Sequence, residues 1–264
     1  MSSNLDLLNN LQDCSPKEAW RSIFDFAWTT CSAEFPSPNV NAEISKRDKA
    51  IGEVDHFLTT AGWDLWDSYG SDAPSTSKEL PKWWKSNSSG RAILVLDALS
   101  LRESSWLLVG AKKRGYKIHR SCATGAELPA DTTPFAKALG FSQRSSLQNN
   151  QAGNAHKFSG AKTESVGIAW EDCAELIGAD PDIFFWHQWP DDLIHEHGEP
   201  GSGRGLSTMV KETESHLNSD EFWGFIERLS KGRRLVITAD HGYAVSELFP
   251  DAEREQKEYL KATF

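Results

Sequence analysis

Ala92-Ile93-Leu94-Val95-Leu96 is an unbroken apolar run that stops on Asp97. A strand wetted on one face alternates apolar and polar residues, whereas a strand covered on both faces reads as continuous aliphatic sequence. The run therefore predicts a buried strand of a parallel sheet. Asp182 to Trp186 (DIFFW) and Arg234 to Thr238 (RLVIT) have the same character. Helix-like text separates them: about Leu101 to Arg114, ending at Gly115; Thr132 to Leu139, closed by Gly140; and Ser207 to Leu229. Alternating strand and helix predicts an α/β fold, a mainly parallel sheet sandwiched by helices. Tyr116 to His119 and Ser165 to Ala169 are further strand candidates. Gln143 to Lys162, rich in Asn, Gln, Ser and Gly, reads as a long loop or lid.

Upstream of this pattern the text is helical. Ser15-Pro16-Lys17-Glu18 is a helix start, with Ser15 as cap and Glu18 three residues on. Trp20, Ile23, Phe24 and Ala27 follow at helical spacing, and a second helical pattern runs from about Ala42 to Trp66. Gly70 to Lys78 (GSDAPSTSK) has the composition of a linker. Lys82-Trp83-Trp84-Lys85 reads as a short amphipathic turn whose rings either pack on the main domain or stack on bases. The expected organisation is an N-terminal helical region and linker over 1–80, then the α/β domain over 81–264.

The 264 residues carry a formal charge of −10, with 39% hydrophobic and 25% charged residues. That balance argues against a broad nucleic-acid-binding face, which needs clustered Lys and Arg. It permits a small anionic substrate, because a bound cation can supply positive charge locally. Cys14, Cys31, Cys122 and Cys173 form no CxxC pair, so the expectation is reduced, partly buried thiols. No apolar run resembles a signal peptide or could span a bilayer, which leaves a cytoplasmic location and no membrane partner as the expectation.

Ligands of parallel α/β sheets gather beyond the carboxyl ends of the strands. After AILVL comes Asp97. After DIFFW come His187, Asp191, Asp192, His195 and His197. After RLVIT come Asp240 and His241. Carboxylate oxygen and imidazole nitrogen together suit zinc or a similar divalent ion. Asp191 and His195 are four apart, so one helical turn puts both on one side. Asp240 and His241 are adjacent and suit a loop at a strand end. Each piece also has an ordinary reading: Asp97 as a helix cap, Asp240-His241-Gly242 as a tight turn, Asp191 to His197 as a solvated acidic patch. Their recurrence at equivalent strand ends is what favours a shared site.

LVLDALSLRES (94–104) together with ITADHGY (237–243) resembles the PglZ domain of the alkaline phosphatase superfamily. The likeness covers most of residues 90 to 264. Leu128 to Phe135 (LPADTTPF) resembles the family's proline-containing stretch that carries its Ser or Thr nucleophile, and Asp191-x-x-x-His195 resembles the superfamily's other metal-binding pair. The resemblance implies that Asp97, Thr132, Asp240 and His241 surround one ion and that Asp191 and His195 hold another. Spacing after Pro129 favours Thr132 as nucleophile, with Thr133 as its rival. The implied cofactor is zinc, with manganese or magnesium as alternatives. The implied reaction is hydrolysis of a phosphate monoester or diester, of a nucleotide or oligonucleotide among others, with a role in bacteriophage defence beside other defence proteins.

Two departures stand out. The superfamily's second ion takes a further histidine well downstream of Asp-His-Gly, whereas 21 residues follow Tyr243 and contain no histidine. Either more chain follows, or His187 or His197 substitutes, or the site holds one ion, or activity is lost. Arg102 also lies two residues later than the family's arginine, which points to a surface or helix-facing role. The alternative to a hydrolase is a catalytically impaired PglZ-fold module that binds a partner within a defence complex. A phosphoryl-transfer mutase or phosphonate hydrolase is a third option.

Overall fold

Strand β1 (Arg91–Asp97) runs between two parallel neighbours and is buried along almost its whole length. It pairs with β3 (Asp182–Pro190) on one side and β4 (Arg234–Thr238) on the other, and β2 (Lys162–Val166) extends the sheet beyond β3. The sheet order is β2-β3-β1-β4, with every strand parallel. The computed structural model describes residues 4–11, 14–36, 39–60, 62–88, 90–197, 205–243 and 258. Its helices, in chain order, are α1 (Asn4–Leu11), α2 (Pro16–Ser32), α3 (Val40–Thr60), α4 (Trp63–Asp67), α5 (Tyr69–Asp72), α6 (Thr76–Ser86), α7 (Ser104–Lys113), α8 (Thr132–Leu139), α9 (Trp170–Glu175), α10 (Asp191–His197), α11 (Gly205–Asn218) and α12 (Asp220–Ser230). No helix among the described residues is long and apolar enough to cross a membrane.

The described chain packs as two units. One holds the residues up to Pro74 together with Leu101–Gly125; the other holds Ser75–Ser100 and Ala126–Tyr243, including the whole sheet. In the first unit, Glu18 accepts hydrogen bonds from the backbone N–H and hydroxyl of Ser15, at 2.9 and 2.6 Å, as the helix-start signal requires. Trp20 is buried against Trp66 and Tyr69. Arg102 is buried and donates to Asp48 on α3 at 2.9 Å, which is the helix-facing role its displaced position suggests.

In the sheet unit, side chains alternate between two cores. Ile93, Val95, Phe184 and Trp186 face α6 and α8, where they meet Trp84, Phe135, Leu139 and Phe158. The other face of β3 turns toward α9 and α12, where Phe185 packs on Phe225. Burying a phenylalanine stabilises by about 1.5–3 kcal/mol, so Phe135, together with buried Ala136 and Leu139, anchors α8 on the sheet. Trp84 is part of this core, which settles its role as packing; its ring also lies 4.1 Å beneath the Arg91 guanidinium.

At the amino end of β1, Arg91 pairs with Asp182, the first residue of β3. Asp182 Oδ1 also accepts from the backbone N–H groups of Gly90 and Arg91, each at 3.1 Å. The Arg91 side chain holds the Asp182 carboxyl below the usual carboxylate range, against the opposing effect of burial. Arg91 further donates to the Trp84 and Asn87 carbonyls.

Several expectations need correction. Tyr116 to His119 joins no strand; Ile118 is exposed there, so the segment buries too little to pay for pairing. The strand expected at Ser165 to Ala169 lies earlier, at β2, where Thr163 and Ser165 are buried despite being polar. The GSDAPSTSK linker is instead the end of α5 and the start of α6, with Ala73, Ser75, Thr76 and Ser77 buried. The helix expected over Ser207–Leu229 is two, broken where Ser219 Oγ accepts from the Phe222 N–H at 3.1 Å. Residues 101–125, expected in the second domain, pack with the N-terminal helices.

Candidate metal centre

Three elements of the sheet unit deliver the site. Asp97 ends β1, and a register shift there, with Gln188 and Trp189 as extra residues on β3, brings Pro190 opposite it, so the end of β1 lies beside the start of α10. Ala98 follows in the left-handed region at φ 60, a conformation that costs a non-glycine residue about 1–2 kcal/mol. That turn aims the Ala98 N–H at Asp240 Oδ1, 3.0 Å away. Asp240 and His241 leave the end of β4. Thr132 is the first residue of α8, held over the strand ends by Phe135, whose ring meets Trp186 edge-on at 5.5 Å.

The Thr132 hydroxyl lies 3.1 Å from Asp97 Oδ1, 3.0 Å from Asp240 Oδ2 and 3.4 Å from His241 Nε2. His241 Nε2 is in turn 3.6 Å from Asp97 Oδ1 and 3.5 Å from Asp240 Oδ2. Both aspartates are buried. Among the described residues, Asp97, Asp240 and His241 form the one group of three or more acidic, histidine or cysteine side chains able to hold an ion, their ligand atoms all within 4.8 Å of one another.

Each carboxylate divides its labour. Asp97 turns Oδ1 inward and anchors Oδ2 on the Trp186 indole N–H at 3.2 Å and on the Arg144 guanidinium. Asp240 turns Oδ2 inward and anchors Oδ1 on Ala98. His241 Nδ1 lies 3.0 Å from the Gly242 carbonyl. A carbonyl only accepts, so the proton is on Nδ1, and the lone pair of neutral His241 is on inward-facing Nε2. Outer partners that orient inner ligands in this way are typical of metal sites.

Proton bookkeeping points the same way. Four inward atoms bearing lone pairs crowd together, yet Thr132 brings one proton to share among three acceptors. Burial raises the Asp97 pKa, as does the neighbouring Asp240, while Arg144 opposes the rise. Burial acts to lower the His241 pKa, but Asp240, the Gly242 carbonyl, Asp97 and Asp191 together raise it. A divalent cation would satisfy all four donors at once. Two carboxylates, one imidazole and one hydroxyl are a donor set suited to zinc, manganese or magnesium.

The remaining sequence candidates separate. Thr133 is exposed and does not share the Thr132 contacts. Asp191 Oδ2 is 3.5 Å from His195 Nε2, with the His195 side chain 78% exposed. Burial raises the Asp191 pKa, and Asp97 adds to the rise, which puts Asp191 near the centre but outside the triad. His187 does not serve as a substitute ligand. It sits on the α9 side of β3, its ring 4.0 Å from that of Trp170; Nε2 donates to the Ile168 carbonyl and Nδ1 accepts from the Trp189 N–H, both at 2.9 Å. The His197 side chain lies outside the described residues. Arg144 and Trp186 are functional neighbours that the sequence reading missed. Trp186 was visible as a strand residue on the Asp97 side, whereas nothing local to Arg144 distinguished it from its polar segment.

No protein-family model matches the chain, and no curated protein matches it.

Proposed function

We propose that the chain is a metal-dependent hydrolase of phosphate monoesters or diesters, built on an alkaline-phosphatase-like sheet, with Thr132 as the nucleophile. The observation that carries this reading is the Thr132 hydroxyl, 3.0–3.1 Å from two buried carboxylates and 3.4 Å from an imidazole nitrogen. A zinc ion held by Asp97, Asp240 and His241, or manganese or magnesium in its place, would favour the threonine alkoxide and offset charge on the phosphoryl oxygens. Thr132 Oγ1 attacks phosphorus as its proton passes through solvent to the departing ester oxygen, which leaves the facing oxygens of Asp97 and Asp240 free to hold the cation. The bond to the ester oxygen breaks and the alcohol departs, leaving phosphothreonine. Water then attacks phosphorus, and the threonine hydroxyl is regenerated with release of phosphate or of a phosphomonoester. Phe135 and Trp186 keep the nucleophile in register through this cycle.

Elemental analysis of the purified chain should find bound metal, and p-nitrophenyl phosphate or its bis-ester should be hydrolysed. Asp240→Ala and Thr132→Ala should each lower turnover by about a thousandfold or more, while Thr133→Ala retains it. Rates unchanged in the first two variants reject the assignment. The likeness of LVLDALSLRES and ITADHGY to PglZ extends the proposal to bacteriophage defence. Loss of phage resistance in cells carrying Thr132→Ala is its test.

A further inference from the structure

We infer that Arg144 is the fixed second cation of this centre, so that the site takes one divalent ion where a carboxylate-bridged site would take two. The inference rests on the reading of Asp97, Asp240 and His241 as a cation site. A two-ion centre holds its ions about 3.5–4 Å apart, and a carboxylate that bridges them spends one oxygen on each. Asp97 has its inner oxygen in the triad, but its outer oxygen is already filled by the Trp186 N–H and the Arg144 guanidinium. A second ion bridged through Asp97 would have to displace a permanent positive charge, because arginine is not deprotonated in proteins. It would also be short of ligands. Asp191 and His195 lie 3.5 Å apart, but among the described residues they join no third metal-competent side chain.

Arg144 is positioned for this role by a segment that is anchored on both sides. Leu147, three residues on, is fully buried in the core around Phe135 and Phe184, and its carbonyl accepts from the Thr163 hydroxyl at 3.0 Å. The Asn149 N–H donates to Glu164 at 3.0 Å. The guanidinium therefore meets Asp97 from a packed segment of the sheet unit, close enough to act electrostatically on Asp191 as well. Two carboxylates and one arginine leave the inner cluster with a single net negative charge. One divalent ion then makes it cationic, which suits an anionic ester.

The test is a metal count on the full chain, stripped with a chelator and titrated with Mn²⁺ by calorimetry and by electron paramagnetic resonance. Wild type should bind one ion per chain with an uncoupled Mn²⁺ spectrum. Arg144→Gln frees the outer oxygen of Asp97 beside Asp191, and a second ion should bind with spin coupling between the two. Arg144→Lys keeps the charge and should remain at one. Two ions in wild type would overturn the inference while leaving the hydrolase reading intact, and no ion in wild type would remove both. A folded Arg144→Gln variant, checked by its thermal melt, that still binds one ion would also overturn it. If that variant fails to fold, the wild-type and Arg144→Lys counts decide.

Discussion

The two ends of β1 both carry buried acids, and they treat them in opposite ways. At the amino end, Asp182 receives two backbone N–H groups and the Arg91 side chain, and its carboxyl is held in the charged form. At the carboxyl end, Asp97 and Asp240 turn oxygens toward each other, toward a hydroxyl with one proton and toward an imidazole lone pair. The first acid is complete within its own fold. The second pair shares the single Thr132 proton on its inward side. In a sequence both read as an acid beside an apolar run; the number of donors that the fold directs at each one separates a structural acid from a ligand.

This contrast can be broken at either end. Removing Asp182 leaves Arg91 buried without its partner, so Asp182→Ala should cost about 3–4 kcal/mol in chemical denaturation; a loss below about 1 kcal/mol would mean that the amino-end pair holds little.

His187 sharpens the contrast because it too is complete, here as a neutral ring. Burial is the main cause that drives its pKa down to about 4 from the ordinary 6.5, with the nearby His216 adding to the fall and the Ile168 carbonyl opposing it. Between those values the unfolded chain binds a proton that the folded chain refuses. The stabilisation is therefore whole above pH 6.5 and declines as pH falls toward 4, by up to about 3 kcal/mol. Denaturation midpoints across that range should show the decline, and His187→Gln should flatten it. An unchanged slope in the variant would show that other groups cause it.

The smallest effect is expected at the crowded end, with the sign reversed. Asp240→Asn removes one charge from the Asp97 pair, so in chelator it should leave stability unchanged or raise it by about 1 kcal/mol. A loss as large as that of Asp182→Ala would mean that the metal-free site is satisfied after all.

Much of this arrangement was legible in the chain. Ala92–Leu96 lies within a strand that matches the expected core, because burial on both faces writes a continuous apolar signal, whereas Arg234–Thr238 is a strand as expected but only half-buried, at the end of the described sheet order. Asp97, Asp240 and His241 were visible for the same reason: they stand where those signals stop. Spacing after Pro129 already favoured Thr132 over Thr133, and the phase of α8 sets the two apart in space, Thr132 at the triad and Thr133 exposed. Other features had no local signature. The Thr163 hydroxyl is buried because the Leu147 carbonyl accepts from it, a contact across 16 residues that no short window contains. Arg144 meets Asp97 across 47 residues, and a polar setting hid it. Ser219 ends one helical stripe and begins the next without interrupting the apolar rhythm, so the break between α11 and α12 was invisible to periodicity.

The detour of residues 101–125 carries a further consequence. The polypeptide leaves the sheet unit after Ser100 and rejoins it at Ala126, and on the way Trp106 packs on Phe35 and Arg102 pairs with Asp48. No single cut in the gene separates the two bodies. A fragment begun at residue 81 would keep Trp106 and Arg102 but delete the surfaces that receive them, leaving an orphaned ring and a stranded charge. The N-terminal helices are bound to the sheet unit by the order of the codons, and the pair is inherited together or not at all.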